Sequence, residues 1–341
     1  MLKTLTIAAL ATTMLTGTAF ANGPELLIED FVGTIKIENS SSNNISITRD
    51  ENMKGVNLVE QGDGLKIDGG IAKPESDKCK GYYGHYNFDL FKKKTSGDFG
   101  GYEDLEDYPQ ITVSVPQDAV LVIENSIAFV TAEDLGGTDL DLRHCGKVNL
   151  GNVKGDLRAN IRGSADLTTK DVGDVYVDIK GSGDLEVQKA GFVSLSVAGS
   201  GDADFDDVLG ADVSVSGSGD ISFENIAGSL GATSRGSGDI EAGNVAGDFI
   251  YEAGGSGDLD IGDVVGKRIS IDVSGSGDVE IDGGNVQTLN ITASGASEVD
   301  YGGTAETADL VATGASDIWV DKVTGDVRSK ERGAADISVG N

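Results

Sequence analysis

Acidic residues recur at a nearly constant spacing through the second half of this chain, each directly after a short Gly-, Ser- or Ala-rich motif. Successive members are 18 to 20 residues apart, and we call them the marker column: Asp166, Asp184, Asp202, Asp220, Asp239, Asp258, Asp278, Glu298, Asp317 and Asp336. Carboxylates brought together could share Ca²⁺, a hard cation that takes several oxygen ligands. Two of them could also act as the acid and base of a glycosidase.

The marker acids that end a Gly-Ser-Gly-Asp motif are candidate calcium ligands: Asp184, Asp202, Asp220, Asp239, Asp258 and Asp278. The motif is similar to the calcium-binding nonapeptide G-G-x-G-x-D-x-U-x, but that array repeats every nine residues. The alternative is structural: each acid caps its own Gly-rich corner by accepting backbone N–H groups. The structural interpretation is favoured, and no other cofactor is predicted.

A fixed period near 20 residues indicates a repeat whose units must stack to bury their apolar faces. In one unit Leu185 and Val187 alternate with polar residues, a turn follows, and Val193, Leu195 and Val197 alternate again. Each repeat is therefore strand, turn, strand and Gly-rich corner. Parallel stacking of equivalent strands predicts an all-β fold, a right-handed parallel β-helix or β-solenoid with coils of about 19 residues. An antiparallel meander is the alternative, although it would not require the whole unit to repeat.

A second column of side chains is predicted beside the marker column. The residue two places after each marker points to the same face of its strand, so Thr168, Glu186, Asp204, Ser222, Glu241, Asp260, Glu280, Asp300, Trp319 and Ser338 should line up. The candidates for surface contacts in this second column are Glu186, Asp204, Glu241, Asp260, Glu280, Asp300 and Trp319.

Three segments are expected along the chain. Residues 1–21 have the features of a secretory signal peptide: Lys3, an apolar run and the cleavage pattern Ala19-Phe20-Ala21. Residues 22–120 are predicted to form an N-terminal β-rich cap with an aromatic and basic insertion at 71–108, and residues 121–341 the solenoid. We therefore expect an exported bacterial protein, periplasmic or at the cell surface or outside the cell. No later apolar run reaches the ~20 residues of a membrane helix, so no membrane insertion is predicted.

The two cysteines, Cys79 and Cys145, are candidates for a disulfide, because export leads to an oxidising compartment. The alternative is two unpaired thiols. In the register of the repeat, Cys145 occupies the place that Ser182 holds later. At the other end, Ser329 and Glu331 replace the apolar residues of earlier coils, which is typical of a capping strand.

The net charge of −31 excludes nucleic acid as a reasonable partner, since a phosphate backbone is bound by Lys and Arg. A basic protein or a cell-surface glycan is the expected partner. The oligomeric state is not predicted.

Several motifs resemble one bacterial family. The runs Ser216-Gly-Ser-Gly-Asp-Ile221, Ser274-Gly-Ser-Gly-Asp-Val279, Tyr301-Gly-Gly and Ala308-Asp-Leu-Val-Ala-Thr-Gly-Ala-Ser-Asp317, with Ile111-Thr-Val-Ser-Val-Pro116 upstream, are similar to adhesins of the auto-transporter head GIN type. The resemblance covers residues 110–341. It implies a β-helix similar to the pectin-lyase-like folds, and a role in adhesion without established catalytic residues.

Two functions from different classes are compatible with these features. The favoured one is an exported, non-enzymatic adhesion or scaffold protein that presents an acidic, Ser-rich surface. The alternative is a polysaccharide-active, pectin-lyase-like enzyme, which should have Arg or Lys beside its acids in a break of the repeat. In the regular segment Arg235, Lys267 and Arg268 are isolated, so the non-enzymatic function is preferred.

Overall fold

The computed structural model describes residues 23–71 and 108–340. The regular secondary structure in these ranges consists of β-strands and includes no helix. The strands are β1 (Glu25–Glu29), β2 (Val32–Asn39), β3 (Ser46–Glu51), β4 (Asn57–Gln61), β5 (Gly64–Asp68), β6 (Gln110–Val115), β7 (Val120–Glu124), β8 (Ile127–Ala132), β9 (Gly137–Leu142), β10 (Cys145–Asn149), β11 (Leu157–Ile161), β12 (Ser164–Asp171), β13 (Val175–Ile179), β14 (Leu185–Val197), β15 (Ala203–Val215), β16 (Ile221–Ile226), β17 (Leu230–Ser234), β18 (Ile240–Val245), β19 (Phe249–Ala253), β20 (Leu259–Val265), β21 (Arg268–Val273), β22 (Val279–Gly295), β23 (Glu298–Gly314), β24 (Asp317–Val323), β25 (Val327–Gly333) and β26 (Asp336–Val339).

Equivalent positions of successive repeats lie side by side in parallel. Leu185 is the neighbour of Ala203, and Leu259 that of Val279, which are offsets of 18 and 20 residues. The predicted β-solenoid is therefore confirmed, and the antiparallel meander is excluded for the repeats. Most coils add one strand to each of two stacks, whereas β14, β15, β22 and β23 are long strands that each contribute to both stacks. We call the stack that follows the Gly-rich corners, from β12 to β26, the marker stack, and the other, from β11 to β25, the opposite stack.

The interior is filled by columns of apolar side chains that run along the rod. One column consists of the buried residues Leu185, Ala203, Ile221, Ile240, Leu259 and Val279. Next to it, the rings of Phe205 and Phe223 stack with their centroids 5.0 Å apart. One coil alone could not bury these side chains, so the stacking of coils supplies the hydrophobic stabilisation.

The glycines of the Gly-Ser-Gly-Asp corners are required by close approach between coils. A Cβ on Gly199 would lie 1.8 Å from the carbonyl oxygen of Gly181, and one on Gly219 would lie 2.0 Å from that of Gly201. Neither glycine has a positive φ. In the later Gly-Ala corners a second reason is added: a Cβ on Gly295 would lie 2.3 Å from the carbonyl oxygen of Gly275, and Gly295 also has a φ of 105°, in the left-handed region that favours glycine.

Two adjacent glycines provide a matched test of this close approach. A Cβ on Gly255 would lie 2.0 Å from the oxygen of Gly236, whereas one on Gly254 would first meet the Oγ of Ser274 at 3.6 Å. We expect Gly255→Ala to lower the free energy of unfolding by roughly 1–3 kcal/mol through overpacking. Gly254→Ala should change it by no more than about 0.5 kcal/mol. Urea unfolding measures both, and equal effects would contradict the interpretation.

The N-terminal strands are interleaved with later ones. Strand β1 pairs in parallel with both β5 and β7, and β2 with both β6 and β8. The coil that comes first in the sequence is therefore the second layer of the stack. Strands β3 and β4 pair antiparallel with β6 and β5 and cover the end.

The segment expected to be a cap is thus divided between two roles. Residues 25–39 and 110–115 are part of the parallel stack, so the predicted boundary at residue 120 is not a break in the pairing. Only β3 and β4 run against it. Most of the predicted insertion, residues 72–107, and the predicted signal peptide lie outside the described residues.

The register near the start of the repeats agrees with the sequence prediction. Cys145 lies beside Ser164, which precedes Asp166 by two places just as Ser182 precedes Asp184. Cys145 is buried. Because Cys79 lies outside the described residues, the disulfide stays a prediction.

At the C-terminal end, polar side chains take core-facing positions as the sequence predicted. Ser329 lies beside Leu310 and Glu331 beside Ala312, and all of β25 is exposed. Within the described ranges there is no helix that could cross a membrane.

Candidate functional site

The second column lies on the outer surface of the marker stack, and its members are in register. Glu186 neighbours Asp204, and Asp204 neighbours Ser222. Farther along the rod, neighbouring coils contribute Glu241, Asp260, Glu280, Asp300 and Trp319 in unbroken order. The structure thus brings together the predicted contact residues in one line.

The marker column is held by hydrogen bonds that run from coil to coil. The Oδ1 of Asp184 accepts the backbone N–H of Asp202 at 3.0 Å, and that of Asp220 accepts the N–H of Asp239 at 2.8 Å. Each acid was expected to accept backbone N–H groups of its own corner. That expectation is wrong, because the carboxylate accepts an N–H of the next coil. It replaces the carbonyl that a regular parallel ladder would offer to this N–H. The same bond recurs for Asp166, Asp202, Asp239, Asp258, Asp278 and Asp317.

This coil-to-coil bond predicts different effects for the two columns. Asp220→Ala leaves the N–H of Asp239 without its acceptor and should lower the free energy of unfolding by about 1 kcal/mol. Glu241→Ala, in the second column, removes the same charge and should change it by less than about 0.5 kcal/mol. Chemical denaturation of both variants compares them. A larger loss in Glu241→Ala would show that charge, rather than this bond, governs stability here.

The second column contains four adjacent carboxylates, those of Glu241, Asp260, Glu280 and Asp300. Neighbouring strands are about 4.8 Å apart, and two unit charges at that distance repel by about 0.9 kcal/mol in bulk water. Glu241, Asp260 and Glu280 are exposed. They form a row of negative charge that can bind a partner with repeated positive charges.

A third column lies three residues after the second column in each coil and was not predicted. The Nδ2 of Asn225 donates to Oδ1 of Asp207 at 3.1 Å, and the Nδ2 of Asn244 donates to Oδ1 of Asn225 at 3.0 Å. In the second column, the Oγ of Ser222 donates to Oδ1 of Asp204 at 2.5 Å. These donors offset part of the repulsion between carboxylates. The recurrence of Asp or Asn at the spacing of the repeat was the signal that could have identified them.

Asp300 differs from its neighbours because it is half-buried beside Trp319, whose side chain is 43% exposed. Burial, and to a lesser degree the charge of Asp278, raises the pKa of Asp300. Burial also raises the pKa of Asp166, while the N–H of Asp184 acts in the opposite direction. The ionised form of Asp300 is therefore less favourable in the folded protein than in the unfolded chain.

The raised pKa of Asp300 predicts a pH-dependent effect. Such a group stabilises the fold at pH values below the pKa of the unfolded chain and loses this contribution as the pH rises through the folded pKa. Asp300→Asn should therefore raise the Tm at neutral pH, and the gain should shrink as the pH falls through the raised folded pKa and be lost once the pH reaches about 4, the pKa of an unfolded Asp. Thermal melts across pH test this. Glu280→Gln removes one charge from the adjacent coil, and an equal gain there would contradict a specific effect of Asp300.

No group of three or more His, Cys, Asp and Glu side chains within the described ranges is arranged as a metal site. The calcium candidates Asp184, Asp202, Asp220, Asp239, Asp258 and Asp278 lie one per coil. Each already accepts a backbone N–H with one oxygen. Calcium binding by these acids stays a prediction.

A polar cleft of about 370 Å³ lies at the N-terminal end of the rod. Among the described residues its lining includes Glu25, Asp63 and Asp118 and contains no Arg, Lys or His. This described part of the lining is therefore acidic.

The fold and this surface define a class of protein, a β-solenoid whose outer face carries in-register columns of acidic side chains. The chain belongs to the family described as "Putative auto-transporter adhesin, head GIN domain", whose model matches residues 32–246, 207–283 and 251–341. The family resemblance found in the sequence is thereby confirmed.

Comparison with solved structures and curated proteins adds no functional argument. A crystal structure described as a putative lipid binding protein from Parabacteroides distasonis aligns over 95% of both chains with 15% identity and a TM-score of 0.25. Such a score does not establish a shared fold. Among curated proteins, none matches the chain.

Proposed function

We propose that this protein is an exported, non-enzymatic adhesion or scaffold protein that binds a basic protein surface through its second column. The observation that carries the proposal is the run of four adjacent carboxylates on one outer face. Their spacing is set by the hydrogen bonding of the coils, so a partner meets a rigid row of charges. Because the row is already rigid, the protein loses less conformational entropy when a partner binds.

The two columns divide structural and binding roles. The marker acids accept backbone N–H groups of the next coil with one carboxylate oxygen, although most of them are as exposed as Glu241, Asp260 and Glu280 of the second column. Membership of an adhesin-type family supports a role in binding. The signal-peptide features of residues 1–21 support export to the periplasm, the cell surface or the medium.

A cell-surface glycan is the second candidate partner, because Trp319 offers an exposed aromatic face beside Asp300 in the same column. A polysaccharide-active enzyme is less favoured. The part of the acidic N-terminal cleft that the described residues line contains no Arg, Lys or His, and the carboxylates of the rod repeat evenly.

Charge removal from one face at a time tests the proposal. The variant Glu241→Gln/Asp260→Asn/Glu280→Gln should bind an oligolysine peptide about tenfold more weakly than the wild type, because it removes three adjacent charges. The matched control is Glu252→Gln/Asp272→Asn/Asp309→Asn, which removes three exposed acids from the opposite stack. Titration at low and moderate salt measures both.

Equal losses in the two variants would show attraction by net charge alone and would reject the second column as the site. Turnover of a polyuronate by the wild type would reject the non-enzymatic assignment. Recovery of the protein in the cytoplasm after cell fractionation would reject export.

A further inference from the structure

Three exposed apolar side chains lie together on consecutive coils, on the outer face of the opposite stack and at its edge. Tyr176, Phe192 and Leu209 are 38%, 44% and 70% exposed, and we call them the aromatic patch. Tyr176 is the neighbour of Ser194, which lies two residues after Phe192. Phe192 is in turn the neighbour of Gly210, which directly follows Leu209. Single exposed apolar residues are ordinary, whereas a contiguous patch rimmed by polar residues is typical of a binding surface.

Small residues leave the rings of the patch open on the side of the next coil. The residue beside Tyr176 is Ser194, and the residue beside Phe192 is Gly210. A Cβ on Gly210 would be 3.6 Å from Cδ2 of Phe192, so this ring extends over the glycine. Neither ring stacks on another aromatic ring of the described residues. The two rings therefore keep exposed surface that a flat ligand could cover.

A column of polar side chains runs along one side of the patch. Asp178 lies two places after Tyr176 on the same outward face, and its neighbours in the adjacent coils are Asn160 and Ser196. Oδ2 of Asp178 binds Lys180, whereas its Oδ1 is buried and accepts no hydrogen bond from the described residues. A buried acceptor in this state costs free energy that a donor group of a ligand can recover. The column therefore supplies hydrogen-bonding groups beside the rings.

Two cations that flank the patch are already paired with acids. Arg158 donates to Asp156 at 2.7 Å and lies over the Tyr176 ring, 4.7 Å from its centroid. Lys180 is paired with Asp178. An anionic ligand would have to displace these acids, and a cationic ligand would meet Arg158 over the Tyr176 ring. This arrangement favours an uncharged ligand.

We propose that the aromatic patch and its polar column bind a neutral oligosaccharide. A sugar ring has an apolar face of C–H groups and a rim of hydroxyls, so it can cover an aromatic ring while its hydroxyls reach Asp178. The site lies along the opposite stack, whereas the second column lies on the marker stack. The inference is therefore independent of the partner of that column.

Truncation of the rings tests the site. The probes are the neutral hexasaccharides cellohexaose, maltohexaose, xylohexaose, mannohexaose and chitohexaose, titrated into the wild type by calorimetry. At least one of them should bind, and Tyr176→Ala/Phe192→Ala should bind it at least about tenfold more weakly, because buried aromatic contacts dominate binding energy. Asp178→Ala removes the unpaired acceptor and should weaken binding about fivefold.

The control variant Ile250→Ala/Val265→Ala removes two exposed apolar side chains farther along the rod and should bind as the wild type does. If the double variant of the patch does not fold, Phe192→Ala alone replaces it. The proposal would be overturned if none of the five sugars bound, or if the control lost binding to the same extent. Tighter binding of hexagalacturonate than of every neutral sugar would overturn it as well, since the site would then select charge. Self-association that Phe192→Ala abolishes would instead assign the patch to a second copy of the chain.

Discussion

Hydrogen bonding between the backbones of successive coils is the constraint on which the rest of this structure depends. It fixes the distance between equivalent residues of successive coils. The side chain at each position must therefore be able to pack against the equivalent side chain of the next coil. At the corners the coils approach so closely that a Cβ on Gly199 would overlap the carbonyl oxygen of Gly181. In the interior the same constraint selects matched apolar columns, such as the one that contains Leu185.

The acidic surface follows from that constraint and is also limited by it. A repeat that places one carboxylate outward places a row of them, and the repulsion cannot be relieved by moving the strands apart. The structure instead supplies donors from the adjacent coil, the backbone N–H of Asp239 for Asp220 and the amide of Asn225 for Asp207. Glu241, Asp260 and Glu280 remain exposed, as does Glu186 of the same column.

Much of the fold could be predicted because the same corner motif and the same alternation of apolar and polar residues recur in every coil. The period of the marker acids indicated the coil, and it correctly placed Cys145 in register with the serine of the next corner, Ser164. The interleaving of β1 between β5 and β7 could not be predicted, because those pairings join segments that share no motif. A period also does not say which coil receives a hydrogen bond. The bond from Asp239 to Asp220 was therefore expected within one corner and was found between two.

The interleaved N-terminal strands make the two ends of the rod unequal under mechanical load. A pull on the C-terminal strands can detach β26 and then β25, since among the described strands each pairs along one edge only. The coil of β1 and β2 is bound along both edges, by β5 and β6 on one side and by β7 and β8 on the other. Extracting it breaks two ladders at once. A force applied at the N-terminal side would thus act on strands that are hydrogen-bonded along both edges. A force applied at the C-terminal end would separate the strands one at a time.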